Sequence, residues 1–132
     1  MQDLRAIWAN GGTVVNAFIN LPGSFTTEIM ARAGFDSLTV DLQHGMIEFG
    51  DVVAALQAMG ASQTVPLARI PALGSPLGGK LLDAGAAGLI CPMIETADDV
   101  RRFVSDCLYP PAGRRSNGAT RAPTPLSDVI GA

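Results

Sequence analysis

Basic charge, aromatic rings, cysteine and long apolar runs are all scarce in this chain, and each shortage removes a class of function. Aromatics make up 5% of the 132 residues, there are two cysteines, and lysine and histidine occur once each, as Lys80 and His44. The formal net charge is −3, and arginines adjoin only as Arg101-Arg102 and Arg114-Arg115. A nucleic-acid surface needs a concentrated positive face, so no nucleic-acid partner is expected. No apolar run approaches the ~18–20 residues of a membrane span. The start, Met1-Gln2-Asp3-Leu4-Arg5, lacks the apolar stretch of a secretion signal. The expectation is therefore a cytoplasmic protein with no membrane partner. Cys91 and Cys107 have neither metal-ligand spacing nor the number for a disulfide framework. One histidine excludes a multi-histidine metal site. The one lysine reads as the solvated side of a helix, not as a strand-end amine, which disfavours imine chemistry.

What the chain does have is aliphatic bulk in a repeating order. Hydrophobic residues make up 48%, chiefly small and branched aliphatics of the kind that pack strands under amphipathic helices. Short apolar runs alternate with helical stretches four times, predicting parallel strands near residues 13–19, 37–41, 65–70 and 88–91. The first helix runs from an N-cap at Ser24 to Arg32. The second spans Phe49 to Met59, with Val52, Val53, Leu56 and Met59 on one face. Ser75-Pro76 opens the third, and Thr96 with Asp99 forms a capping box for the fourth, which sets Val100, Phe103, Val104, Cys107 and Leu108 on one side. The segments Ala31–Leu38 and Leu82–Leu89 repeat the same helix–Ala-Gly–strand junction. Residues 109–132, rich in Pro, Gly and Arg, read as a loop and tail of the same single domain, 1–132. The fold class is α/β with parallel (β/α) repeats. Four units make the amino-terminal half of a (β/α)8 barrel, which takes about 250 residues when complete.

Strand-to-helix loops in such folds gather at the carboxyl ends of the strands, where ligands bind. Three residues there carry chemistry. His44, just past the second strand, can take and give a proton near neutrality. Asp41 stands beside it and is expected to hold it; the plain alternative is an Asp41–His44 pair that only shapes the loop. Arg69 closes the third strand among apolar neighbours, where a charge must be paired or functional. Its planar guanidinium suits a carboxylate or an enolate oxygen, and the alternative is a packed stem with its head in water. Glu95, past the fourth strand, reads as a dipole-stabilising acid at a helix start.

Five motifs in order carry a resemblance: Asp41-Leu42-Gln43-His44-Gly45; Ala68-Arg69-Ile70-Pro71; Leu82-Asp83-Ala84-Gly85-Ala86-Ala87-Gly88; Cys91-Pro92-Met93-Ile94-Glu95-Thr96; and Tyr109-Pro110-Pro111-Ala112-Gly113-Arg114-Arg115-Ser116. Together they resemble the HpcH/HpaI aldolases, the metal-dependent pyruvate aldolases that include 4-hydroxy-2-oxoheptanedioate aldolase. The resemblance implies a phosphoenolpyruvate/pyruvate-type barrel that cleaves 4-hydroxy-2-oxo acids to pyruvate and an aldehyde, and a homo-oligomer when full length. It makes His44 the catalytic acid/base, oriented by Asp41, and makes Arg69 the residue that binds the pyruvate carbonyl and steadies the enolate. A divalent metal (Mg, Mn or Co) would serve as Lewis acid. The family's metal-binding glutamate and aspartate follow its fifth and sixth strands, beyond Ala132, so this chain alone is expected to hold no catalytic metal and to lack aldolase activity. Two other readings stay open: a citrate-lyase β-like carbon–carbon lyase, and a non-catalytic half-barrel that pairs with a partner chain.

Overall fold

The computed structural model describes residues 3–118 and 121. Its elements run α1 (Leu4–Ala9), β1 (Asn16–Ile19), α2 (Ser24–Ala31), β2 (Ser37–Asp41), α3 (Phe49–Met59), β3 (Val65–Arg69), α4 (Leu77–Asp83), β4 (Gly88–Ile90) and α5 (Ala97–Cys107). The strands form one sheet in the order β1-β2-β3-β4, every neighbouring pair parallel. The expected alternation and strand order are both present.

Alternation along each strand sorts the side chains. Ile19, Leu38, Val40, Ala68 and Ile70 face the helices and join Val52, Leu56 and Met59 of α3 and Leu81 of α4 in one buried core. Asn16, Phe18, Ser37, Thr39, Asp41, Leu67 and Arg69 fall on the opposite, concave face. There the Asn16 side-chain carbonyl accepts from both the Ser37 and Thr39 hydroxyls, each at 2.9 Å. The repeated Ala-Gly junctions are equivalent in backbone: Gly34 (φ 94) and Gly85 (φ 107) both turn the chain from helix to strand in the left-handed region that glycine adopts freely.

Several boundaries differ from expectation. The first strand begins at Asn16, not Thr13, because its partner β2 begins only at Ser37; Val15 is tied by its N–H to the Asp36 carboxylate at 2.7 Å. Ser24 is the first residue of α2, with Gly23 at the cap. Likewise α4 starts at Leu77, whose N–H is 3.3 Å from Ser75 Oγ. The unexpected α1 is capped by Asp3, which accepts from the N–H groups of Arg5 and Ala6. The Thr96–Asp99 capping box is present as read, while Glu48–Asp51 forms a second one on α3. No residue of α5 is fully buried: Phe103 is partly covered, whereas Val100, Val104 and Leu108 remain exposed. Lys80, expected on a solvated face, is exposed and lies over the Phe49 ring at 4.3 Å.

Within residues 109–118 there is no helix or strand, but Arg114 N–H bonds the Ser105 carbonyl and Arg115 pairs with Asp83 at 2.5 Å. The rest of the expected tail, 119, 120 and 122–132, lies outside the described residues. Among the described residues no helix is long and apolar enough to cross a membrane.

Candidate active site

Parallel register places the site. Asp41 is the last residue of β2, Arg69 is the last of β3, and the two are direct cross-strand partners. Their side chains meet as a two-pronged ion pair, Arg69 Nε to Asp41 Oδ1 at 2.9 Å and Nη2 to Oδ2 at 2.6 Å. Such a fork matches guanidinium to carboxylate geometry and is among the stronger polar contacts in proteins. The Asp41 side chain is 1% exposed and that of Arg69 23%, so the carboxylate is sealed while the guanidinium reaches the mouth. The Arg69 contact, assisted by backbone N–H groups and opposed by burial, lowers the Asp41 pKa to about 2. The carboxylate in turn raises the Arg69 pKa. Beneath the guanidinium lies the Phe18 ring, 4.9 Å from its carbon, a cation–π contact.

This arrangement changes the expected part of Asp41. Its Oδ1 also accepts the backbone N–H groups of Gln43 (3.0 Å) and His44 (3.3 Å). Asp41 therefore shapes the His44 loop through its backbone, and its carboxylate is spent on Arg69 instead of the imidazole. The ring of His44 is exposed at the mouth. The physical reason lies in reach: a carboxylate at a strand end lies level with the neighbouring strand's end, while a residue three positions along the turn presents its N–H first.

Gly45 makes the turn possible. A Cβ there would lie 2.2 Å from the Asp41 carbonyl oxygen and 3.2 Å from that of Asn20. Met46 N–H bonds the Asn20 carbonyl at 2.8 Å, which joins the β1 and β2 loops, and Leu42 N–H bonds the Arg69 carbonyl at 3.0 Å. Past β4, Met93 holds φ 55, an uncommon conformation for a residue with a side chain. Met46 and Met93 are both highly exposed. The sequence reading missed Phe18, Gly45 and the Asn20 carbonyl; period-two alternation along β1 would have flagged Phe18 as facing the site.

Glu95 precedes the cap of α5, exposed, with its N–H 3.3 Å from Asp99 Oδ2; the first-turn acids are Asp98 and Asp99. A divalent metal does not fit the described residues. The Asp41 oxygens already face Arg69 and two N–H groups, and no group of three or more His, Cys, Asp or Glu residues stands together among them.

The chain is 35% identical over 121 residues to a hydroxypyruvate/pyruvate aldolase of Rhizorhabdus wittichii, covering 92% of this chain and 48% of that protein. It is 36% identical over 123 residues to a 4-hydroxy-2-oxovalerate aldolase of Rhodococcus jostii, again covering 92% and 48%. The chain thus spans about half the length of the curated relatives it matches. Among solved structures it resembles an HpcH/HpaI aldolase from Desulfitobacterium hafniense, with TM-score 0.83 and 26% identity, over 99% of this chain and 52% of that one. It also resembles a structure of citrate synthase SbnG, with TM-score 0.78 and 29% identity, over 86% and 46%. The four βα units are accordingly part of the family's barrel-type fold. Because the family's sequence model also matches residues 15–126, the chain belongs to the HpcH/HpaI aldolase/citrate lyase family.

Proposed function

We propose that this chain carries the pyruvate-handling part of an aldolase that cleaves 4-hydroxy-2-oxo acids to pyruvate and an aldehyde. The observation that carries this reading is the Asp41–Arg69 fork at adjacent strand ends, with the exposed His44 on the loop Asp41 organises. Asp41 takes up Nε and Nη2 of the guanidinium, which leaves Nη1 for a substrate oxygen at the mouth. A fixed cation there favours the oxygen on which charge develops as the C3–C4 bond breaks. His44 takes the proton of the C4 hydroxyl as the aldehyde carbonyl forms, and the electron pair of the broken bond becomes the enolate of pyruvate. Returning a proton to C3 completes pyruvate, so the reaction balances without a further reactant. Asp41 acts here as a positioning residue for Arg69 and for the His44 loop.

The divalent metal implied by the resemblance would be held by residues outside those described. Small 2-oxo acids and aldehydes are the proposed substrates, and a homo-oligomer the proposed state of the whole protein. The opposite direction, carbon–carbon bond formation, is the second reading, favoured by the likeness to a structure whose name is a citrate synthase.

The test is pyruvate release from 4-hydroxy-2-oxovalerate with Mg²⁺, Mn²⁺ or Co²⁺. The protein is a chimera in which this chain replaces the matching part of the Rhizorhabdus wittichii relative. Turnover is expected, and His44→Ala should lower it by ~10²–10⁴-fold. Undiminished turnover in that variant would remove His44 from the proton transfer.

A further inference from the structure

The order of the strand ends decides what faces the part of the substrate that leaves as the aldehyde. In the reaction proposed above, Arg69 at the end of β3 steadies the substrate oxygen that gains charge, the one on C2. His44, on the loop after β2, takes the proton of the C4 hydroxyl. The sheet runs β1-β2-β3-β4, so the step from C2 to C4 is a step from β3 toward β2. Continued the same way, the substrate chain beyond C4 comes to the loops that follow β2 and β1.

Those two loops are joined, and they are apolar where they meet. Met46 N–H donates to the Asn20 carbonyl at 2.8 Å, and Leu21 follows Asn20. Gly45 lets the backbones close together: a Cβ there would lie 3.3 Å from the Asn20 Cα. The turn sends Ile47 into the core and leaves Met46 on the open side with His44. Charge favours the same kind of ligand. Between β1 and α2, and between β2 and α3, the loops hold no lysine or arginine, and their one acid, Glu48, lies four residues past His44. A carboxylate at this place would lose water and gain no counter-charge from either loop. An alkyl chain would instead cover leucine and thioether surface, which adapts readily to such shapes.

We propose that Leu21 and Met46 are specificity-determining residues for the aldehyde half, selecting 4-hydroxy-2-oxo acids whose chain beyond C4 is an uncharged alkyl group. This assignment rests on the cleavage reaction above and adds the substrate class to it.

A matched pair of substrates tests it, in the chimera with the Rhizorhabdus wittichii relative. 4-Hydroxy-2-oxoheptanoate and 4-hydroxy-2-oxoheptanedioate share one carbon chain and differ only in ending on a methyl or a carboxylate. For pyruvate release, kcat/KM is expected to be at least about tenfold higher with the heptanoate. Met46→Lys supplies a cation where the second carboxylate would lie, and should move that ratio by about tenfold or more toward the heptanedioate. Leu21→Lys should move it the same way. Met93→Lys makes the same charge change on the loop after β4, on the far side of Arg69 from β2, and should leave the ratio within about twofold. A preference for the heptanedioate overturns the assignment and leaves the cleavage reaction standing. So does a ratio unmoved by both Met46→Lys and Leu21→Lys, or one moved equally by Met93→Lys. No pyruvate from either substrate or from 4-hydroxy-2-oxovalerate overturns the cleavage reaction, and the assignment with it.

Discussion

The two faces of the four-stranded sheet are built from alternating residues of the same strands, yet they bury opposite chemistries. Toward the helices, Leu38, Val40, Ala68 and Ile70 are sealed in an apolar core. On the concave side, Ser37, Thr39 and Asp41 are just as buried, but every one is a polar side chain held by a hydrogen bond or ion pair. One face supplies stability by removing apolar surface from water. The other keeps polar groups dry, which strengthens each contact and makes an unpaired group costly. The difference explains why the residues suited to chemistry gather where the concave face meets the strand ends.

The polar face is damaged most by removing one partner of the ion pair. Arg69→Met strands a buried Asp41 carboxylate and should destabilise the chain by about 3–5 kcal/mol at neutral pH, read from urea unfolding. The pH dependence has a definite sign. The folded pKa of Asp41 is lowered, so its stabilising contribution is present above the ordinary carboxylate value of 3.8 and is lost as pH falls toward about 2. The gap between wild type and variant should therefore shrink over that window; a gap independent of pH would mean that Asp41 charge is not its source.

On the other face, Leu38→Ala leaves a cavity in the core and should cost about 3 kcal/mol. Because Leu38 is packed among apolar side chains, the loss should be the same at pH 7 and inside the acid window in which the Arg69→Met gap shrinks. The smallest effect is expected at Phe18. Phe18→Leu keeps apolar volume but removes the ring under Arg69, and should cost about 0.5–1 kcal/mol. Its double-mutant cycle with Arg69→Met should show coupling of that size, since the two substitutions remove the same contact.

Legibility from the sequence followed the range of the interactions involved. The bounds of α3 and the Thr96–Asp99 capping box were readable because their determinants lie within a few residues of one another. The start of β1 was misplaced because pairing with Ser37, not the apolar run, limits it. His44, Asp41 and Arg69 were singled out by residue type and position at strand ends. The partnership among them was not legible: Asp41 and Arg69 are 28 positions apart, and nothing local in either segment shows that they stand side by side. The face of α5 was readable as apolar, but how much of it is covered depends on neighbours that no helical period reveals.

By itself the sequence determined the alternating βα order, the helix caps and the candidate chemistry, since hydrophobic period, capping geometry and side-chain type are local properties. Tertiary structure alone decided the cross-strand register that sets Arg69 against Asp41 and the turn at Gly45 that puts the His44 imidazole in the open. Each of these depends on which backbone lies beside which, and parallel pairing through intervening helices sets that over distances no local pattern spans.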